Sequence, residues 1–113
     1  MSEFGPICVW EGSWQSGYPG VTGTMKIPLY DVNRDLEYTT YCETTYTGLY
    51  ARGKTIRLDI EVVVGDPYPS LQAQNGDQTI TYAIKEIRPD GEMRGTYKSK
   101  SPADNGYWSM RPL

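Results

Sequence analysis

Apolar and polar residues alternate with period two along most of this chain, and the pattern is cleanest over Thr55–Gly65, TIRLDIEVVVG. Ile56, Leu58, Ile60, Val62 and Val64 fall on one face, and Thr55, Arg57, Asp59 and Glu61 on the other. A strand turns successive side chains to opposite faces, so this alternation predicts a strand with one buried and one wet face. The same reading predicts strands over Ile7–Trp14, Val21–Tyr30, Leu36–Tyr46, Gly48–Arg52, Gln78–Ile87, Glu92–Ser99 and Tyr107–Arg111. In the second of these, Val21, Gly23, Met25, Ile27 and Leu29 face inward. Pro28 has no N–H and belongs where the ladder stops or at an edge. In Gln78–Ile87 Ile80, Tyr82 and Ile84, and in Glu92–Ser99 Met93, Gly95 and Tyr97, take the inner face. The first strand has apolar residues on both faces, so alternation leaves its inner face open.

Turn chemistry separates these segments. Ser16-Gly17-Tyr18-Pro19-Gly20, Asp31–Asp35, Gly53-Lys54, Ser101–Gly106 and above all Arg88-Pro89-Asp90-Gly91 are turn or loop sequences, in which Pro presets φ and Gly allows positive φ. Gly65–Asp77, GDPYPSLQAQNGD, reads as the one long irregular stretch, with a helical turn allowed within Pro69–Gln74. Loops of that length are often functional, so a flap or lid and a plain solvated connection stand as equal readings. No segment keeps a helical period.

Eight short strands with mostly short connections predict an all-β, antiparallel, up-and-down barrel in a single domain, residues 1–113, with a two-sheet sandwich as the alternative. Closing the sheet removes its edges, and eight strands leave an interior that side chains fill or that holds one small ligand. Residues 1–5 carry no weight, since MSEFG also reads as a vector-derived extension.

Composition narrows the chemistry. The 113 residues include 10 Tyr and 3 Trp against a single Phe, and no His. Without His, a Ser-His-Asp or Cys-His nucleophile cannot be built within one chain. With only Cys8 and Cys42 as soft ligands, no zinc or copper site is expected, and no cofactor. The two cysteines either pair across facing strands or stay as buried thiols, the simpler reading. The net charge of −3 disfavours a basic nucleic-acid footprint, and no apolar run is long enough to span a membrane. No secretory signal is read at the start, which gives a cytoplasmic expectation unless a leader has been removed. A homodimer is left open.

The third strand, LEYTTYCETTY, differs from an ordinary core strand. Tyr38, Thr40, Cys42, Thr44 and Tyr46 share one face with Leu36, and such a Tyr/Thr/Cys face suits a partly wet cavity. The first functional expectation is therefore a barrel that binds a small, largely apolar or aromatic molecule. Trp10, Tyr38, Thr40, Cys42, Tyr82, Tyr97 and Tyr107 are its candidate contacts, because Tyr combines an apolar ring with a polar tip. The second is a His-free cyclase or isomerase on the same barrel, using Tyr hydroxyls and a buried carboxyl. Glu11, beside Trp10 and Trp14, is the first candidate, ahead of Glu37, Glu43 and Asp59. The third is a protein-binding or inhibitory module that uses Phe4–Cys8 or Gly65–Asp77 as a wedge. Carbohydrate recognition by exposed Trp and Tyr is a weaker fourth.

Gly12-Ser13-Trp14 resembles the Gly-X-Trp signature of the calycins, the group of lipocalins, fatty-acid-binding proteins and avidins. Gly95–Ser99 after Asp90-Gly91 is locally similar to an avidin-type hairpin strand. The resemblance implies an eight-stranded barrel in which Trp14 plugs one end and a basic residue of the last strand, Arg111 here, packs over the indole. A guanidinium over an indole is itself a favourable contact. No ligand residues are carried over from the resemblance.

Overall fold

The structure, a computed structural model that describes residues 6–101 and 103–113, closes eight antiparallel strands into one up-and-down barrel. The strands are β1 (Cys8–Ser16), β2 (Thr22–Leu29), β3 (Tyr38–Tyr46), β4 (Thr55–Val63), β5 (Ser70–Asn75), β6 (Gln78–Ile87), β7 (Met93–Lys100) and β8 (Asp104–Pro112). Each pairs with its neighbours in sequence, and β1 pairs with β8 from Trp10–Pro112 to Ser16–Gly106. That last ladder decides for a barrel over a sandwich, because it satisfies both edges of the sheet. Phe4 and Gly5 of the expected wedge and Pro102 of the Ser101–Gly106 loop lie outside the described residues.

The strand count agrees with the expectation, but one strand sits elsewhere. Gly48–Arg52 is a turn: Ala51 has φ of +53°, and Leu49 and Tyr50 are 85 % and 61 % exposed. The amide of Tyr50 donates to the Gly20 carbonyl, so this segment braces the β1–β2 loop. The missing strand is β5, inside the stretch expected to be irregular. Leu71 and Ala73 are buried while Gln72 and Gln74 are exposed, and the strand pairs with both β4 and β6. Pro67 and Pro69 precede β5 and do not interrupt it. The last strand also starts earlier than expected, at Asp104.

Apolar side chains turn inward as period two requires. Ile27, Leu29, Leu58, Ile60, Val62, Leu71, Met93 and Met110 are almost wholly buried. Most of them lie toward the end of the barrel that carries the β2–β3, β4–β5 and β6–β7 loops, and buried Val32 of the β2–β3 loop joins them there. On β6 the register shifts between Ile84 and Glu86, so Lys85 is the extra residue of a bulge. Ile87, opposite buried Met93, thereby packs against the core. Pro28 behaves as its chemistry demands. The β2–β3 ladder ends at Lys26–Glu43, and the Thr40 hydroxyl donates to the Pro28 carbonyl at 2.8 Å.

On β1 the face left open by the sequence is settled by burial. Cys8, Trp10, Gly12 and Trp14 turn inward, and Val9, Glu11, Ser13 and Gln15 are exposed. Cys8 and Cys42 are both free thiols, one half-buried and the other buried, on strands separated by β2.

Candidate functional site

The barrel is filled at one end and hollow at the other. The hollow end carries the β1–β2, β3–β4, β5–β6 and β7–β8 loops and holds a cavity of about 380 Å³. Trp14 of β1, Thr44 and Tyr46 of β3, Ile56 and Leu58 of β4, Ile80 and Tyr82 of β6, Tyr97 and Ser99 of β7 and Asp104 of β8 line its wall. Tyr18, Tyr50 and Lys54 stand at the rim. A larger depression of about 680 Å³ lies on the outer face, lined by the exposed groups Asp59, Glu61, Lys98 and Lys100 among others. No aromatic side chain lines it, so the interior cavity is the better-built site.

The aromatic lining is a connected set. Trp14 meets Tyr46 edge-to-face at 5.3 Å between centroids and Tyr97 edge-to-face at 6.2 Å. Tyr46 continues to Tyr50 at 5.7 Å, and Tyr97 to Tyr82 at 6.0 Å. Edge-to-face pairing is the favoured geometry of aromatic quadrupoles and adds rigidity to the wall. The sequence makes room for two of these rings with glycine. A methyl group at Gly23 would collide with the Trp14 indole, and one at Gly106 with the Tyr97 ring. Bare backbone on the neighbouring strand thus lets each ring lie flat across it.

Polar contacts hold the same rings. The Trp14 Nε1–H donates to Thr44 Oγ1 at 2.7 Å, and that hydroxyl donates to the Thr24 carbonyl at 2.8 Å. The Tyr97 hydroxyl donates to Asp104 Oδ2 at 2.9 Å, and Ser16 Oγ donates to Asp104 Oδ1 at 2.7 Å. The amide of Tyr18 donates to Ser16 Oγ at 2.9 Å, tying the β1–β2 loop to the carboxylate. Burial raises the Tyr97 phenol, and its bond to Asp104 raises it further. Desolvation likewise lifts Tyr82 well above its ordinary value, with smaller contributions from Cys42 and Tyr97. Tyr46 is raised by burial and then by Tyr50 and Asp104. These phenols are therefore neutral hydrogen-bonding groups at physiological pH. Tyr82 is 5 % exposed and lines the cavity.

The residues named from the sequence divide by place. Tyr82 and Tyr97 line the cavity. Trp10 is buried in the core toward the filled end. Tyr38 is half-buried, its hydroxyl accepting the Tyr30 amide at 2.9 Å and its ring edge-on to Tyr30. Thr40 is held by Pro28, and Cys42 is buried with its thiol pushed up to about 12 by desolvation, which leaves it inert. Tyr107 is 72 % exposed on the outer face, because Gly106, Trp108 and Met110 take the inner positions of β8. Glu11 also points outward and pairs with Lys26 at 3.3 Å. Glu37, Glu43 and Asp59 are exposed as well.

Arg111 has the outward parity of Tyr107. Its guanidinium meets Asp90 at 3.1 Å and Glu92 at 3.3 Å, so the Trp14–Arg111 packing implied by the calycin resemblance is not formed. Trp14 is a cavity wall, tied to Thr44 in place of a cation. The site residues that the sequence did not point to are Ser16, Ser99 and Asp104, while Thr44 and Tyr46 lie on the β3 face expected to line a cavity without having been singled out as contacts. Parity on β3 put Thr44 and Tyr46 beside Cys42. Asp104 had no such signal, since it sits in a segment that reads as a polar loop.

Among the described residues no group of three or more His, Cys, Asp or Glu is placed to hold a metal ion. Comparisons with protein-family models, with curated proteins and with solved structures found no match.

Proposed function

We propose that this barrel binds a small, largely apolar molecule with a polar group, taken up through the open end and held among Trp14, Tyr46, Tyr82 and Tyr97. The observation that carries the reading is the asymmetry of the interior. Aliphatic side chains pack one end, while the other end keeps an open, aromatic-walled space of about 380 Å³. That volume lies within the ~300–1,000 Å³ range of ordinary small-molecule sites. At ~30 Å³ per water it equals the liquid volume of roughly a dozen waters, room for a one- or two-ring compound. Protein interiors are otherwise close-packed, so a space of this size bounded by rigid aromatic pairs is not a packing remnant.

Architecture supports a calycin-like reading, since closure by sequential antiparallel hairpins is the arrangement that resemblance implies. The cyclase or isomerase reading loses its named carboxylates to the outer face, and Asp104 is the acid left for it.

Native mass spectrometry of the purified protein tests the proposal, run before and after incubation with a panel of small apolar and polycyclic compounds. One bound mass per chain is expected, with saturable quenching of Trp14 emission. The cavity-filling variant Ile56→Trp is expected to lose the bound mass while keeping the fold by circular dichroism. A parent protein that retains no compound from the panel, or an Ile56→Trp variant that binds as the parent does, overturns the reading.

A further inference from the structure

We infer that the ligand carries a positive charge, a protonated or quaternary amine on a small apolar body, and that Asp104 together with the faces of Trp14, Tyr46 and Tyr97 recognises it. This rests on the binding reading above and specifies its chemistry.

Asp104 and Lys54 are the two charged residues of the cavity lining, and they are placed differently. Lys54 is exposed at the rim, where water screens its ammonium. Asp104 is half-buried, and its two oxygens receive Tyr97 and Ser16 hydroxyls at 2.9 and 2.7 Å. Those neutral donors fix the carboxylate's orientation without cancelling its charge. None of the ion pairs among the described residues includes Asp104; they join Lys26–Glu11, Arg88–Glu86, Arg94–Glu92, Arg111–Asp90 and Arg111–Glu92. Lys98 and Lys100 flank Ser99 on the outward parity of β7 and are exposed. A carboxylate that is partly withdrawn from water and has no counter-charge is electrostatically incomplete.

The rings around it complete the argument. Trp14 and Tyr97 line the cavity in contact with each other, and Tyr97 is bonded to the carboxylate. Aromatic faces are the negative poles of their quadrupoles and attract ammonium groups, more so when water is excluded. The same faces, and the Asp104 charge, repel a carboxylate or phosphate ligand. The net charge of −3 over the whole chain adds a weak, long-range attraction for cations.

The test compares three benzyl probes: benzyltrimethylammonium, its neutral isostere neopentylbenzene, and the smaller anion phenylacetate. Binding is followed by native mass spectrometry and by Trp emission at low and high salt. The cation is expected to bind at least about tenfold more tightly than the neutral isostere, with that preference shrinking as salt rises. Asp104→Asn is expected to remove most of the preference while the neutral compound still binds, and Asp104→Glu to restore part of it. Equal affinity for the cation and its isostere overturns the charge assignment and leaves the binding cavity standing. Tightest binding of phenylacetate overturns it in favour of recognition by Lys54. Failure of all three probes, with no compound bound from the wider panel either, removes the binding reading itself. The comparison on the parent protein decides the matter even if the Asp104 variants fold poorly.

Discussion

Gly23→Ala is the sharpest perturbation of the cavity wall, because it adds one methyl group where the Trp14 indole already lies. An ideal Cβ at position 23 falls well inside van der Waals contact of three indole atoms, so the ring must move. Overpacking of this kind costs ~1–3 kcal/mol. Displacing the ring also weakens its 2.7 Å bond to Thr44, at about 0.5–1.5 kcal/mol for a typical hydrogen bond. Against this, replacing Gly by Ala reduces the entropy of the unfolded chain and returns roughly 0.4–1 kcal/mol. The balance is a loss of about 2 kcal/mol, obtained from the midpoints of these ranges. With a urea slope of ~1–3 kcal/mol/M, the midpoint should fall by about 1 M. Urea unfolding followed by far-UV circular dichroism measures this independently of the indole. Trp emission should shift as well, since Trp14 changes its surroundings. Gly76→Ala is the control. There φ is +60° and nothing lies within 4 Å, so only the backbone penalty applies and Trp emission should stay unchanged. A Gly23→Ala protein as stable as the parent, with unaltered emission, would falsify the view that bare backbone seats this ring.

Two further outcomes follow from burial. The Cys42 thiol, raised to about 12 by desolvation, should resist alkylation in the native protein and react only on unfolding, whereas half-buried Cys8 should be labelled first; equal native labelling of both by mass spectrometry would refute this. Tyr38, Tyr46, Tyr82 and Tyr97 are all raised by burial, so in the folded state they hold their protons after the unfolded chain has begun to lose its own near pH ~10. The stabilisation they contribute is fully present below that pH and is lost as pH rises through the folded values. Chemical denaturation across the alkaline range should show this decline, flattened in Tyr82→Phe; a parent protein whose stability stays level as the exposed tyrosines ionise would contradict it.

The chain by itself determined the fold class, because period two is a local property that survives without knowledge of neighbours. Thr55–Val63, Thr22–Leu29 and Met93–Lys100 were legible in this way, with their inner faces. β5 was not, since SLQAQN offers only Leu71 and Ala73 to the core and two prolines precede it. Its strand character comes from β4 and β6, which supply ladders on both sides. Gly48–Arg52 failed the other way. Leu49 and Tyr50 look like strand residues, yet Ala51 takes a positive φ and the segment ends up braced against Gly20. For the site, parity brought Tyr82 and Tyr97 to the inner face and both line the cavity, whereas Tyr38 and Tyr107, named with them, do not. Only tertiary structure decided which end of the barrel stays open. A strand pattern shows which side chains point inward and is silent on whether the interior around them is filled. It decided equally that Tyr107, Glu11 and Arg111 face water, through a pairing of β1 with β8 that fixes both strands' parity at once. Asp104 reaches the cavity because β8 begins there, opposite Ser99 and near Ser16, residues 88 positions apart in the chain at the longer separation. No local pattern records such a meeting; barrel closure creates it.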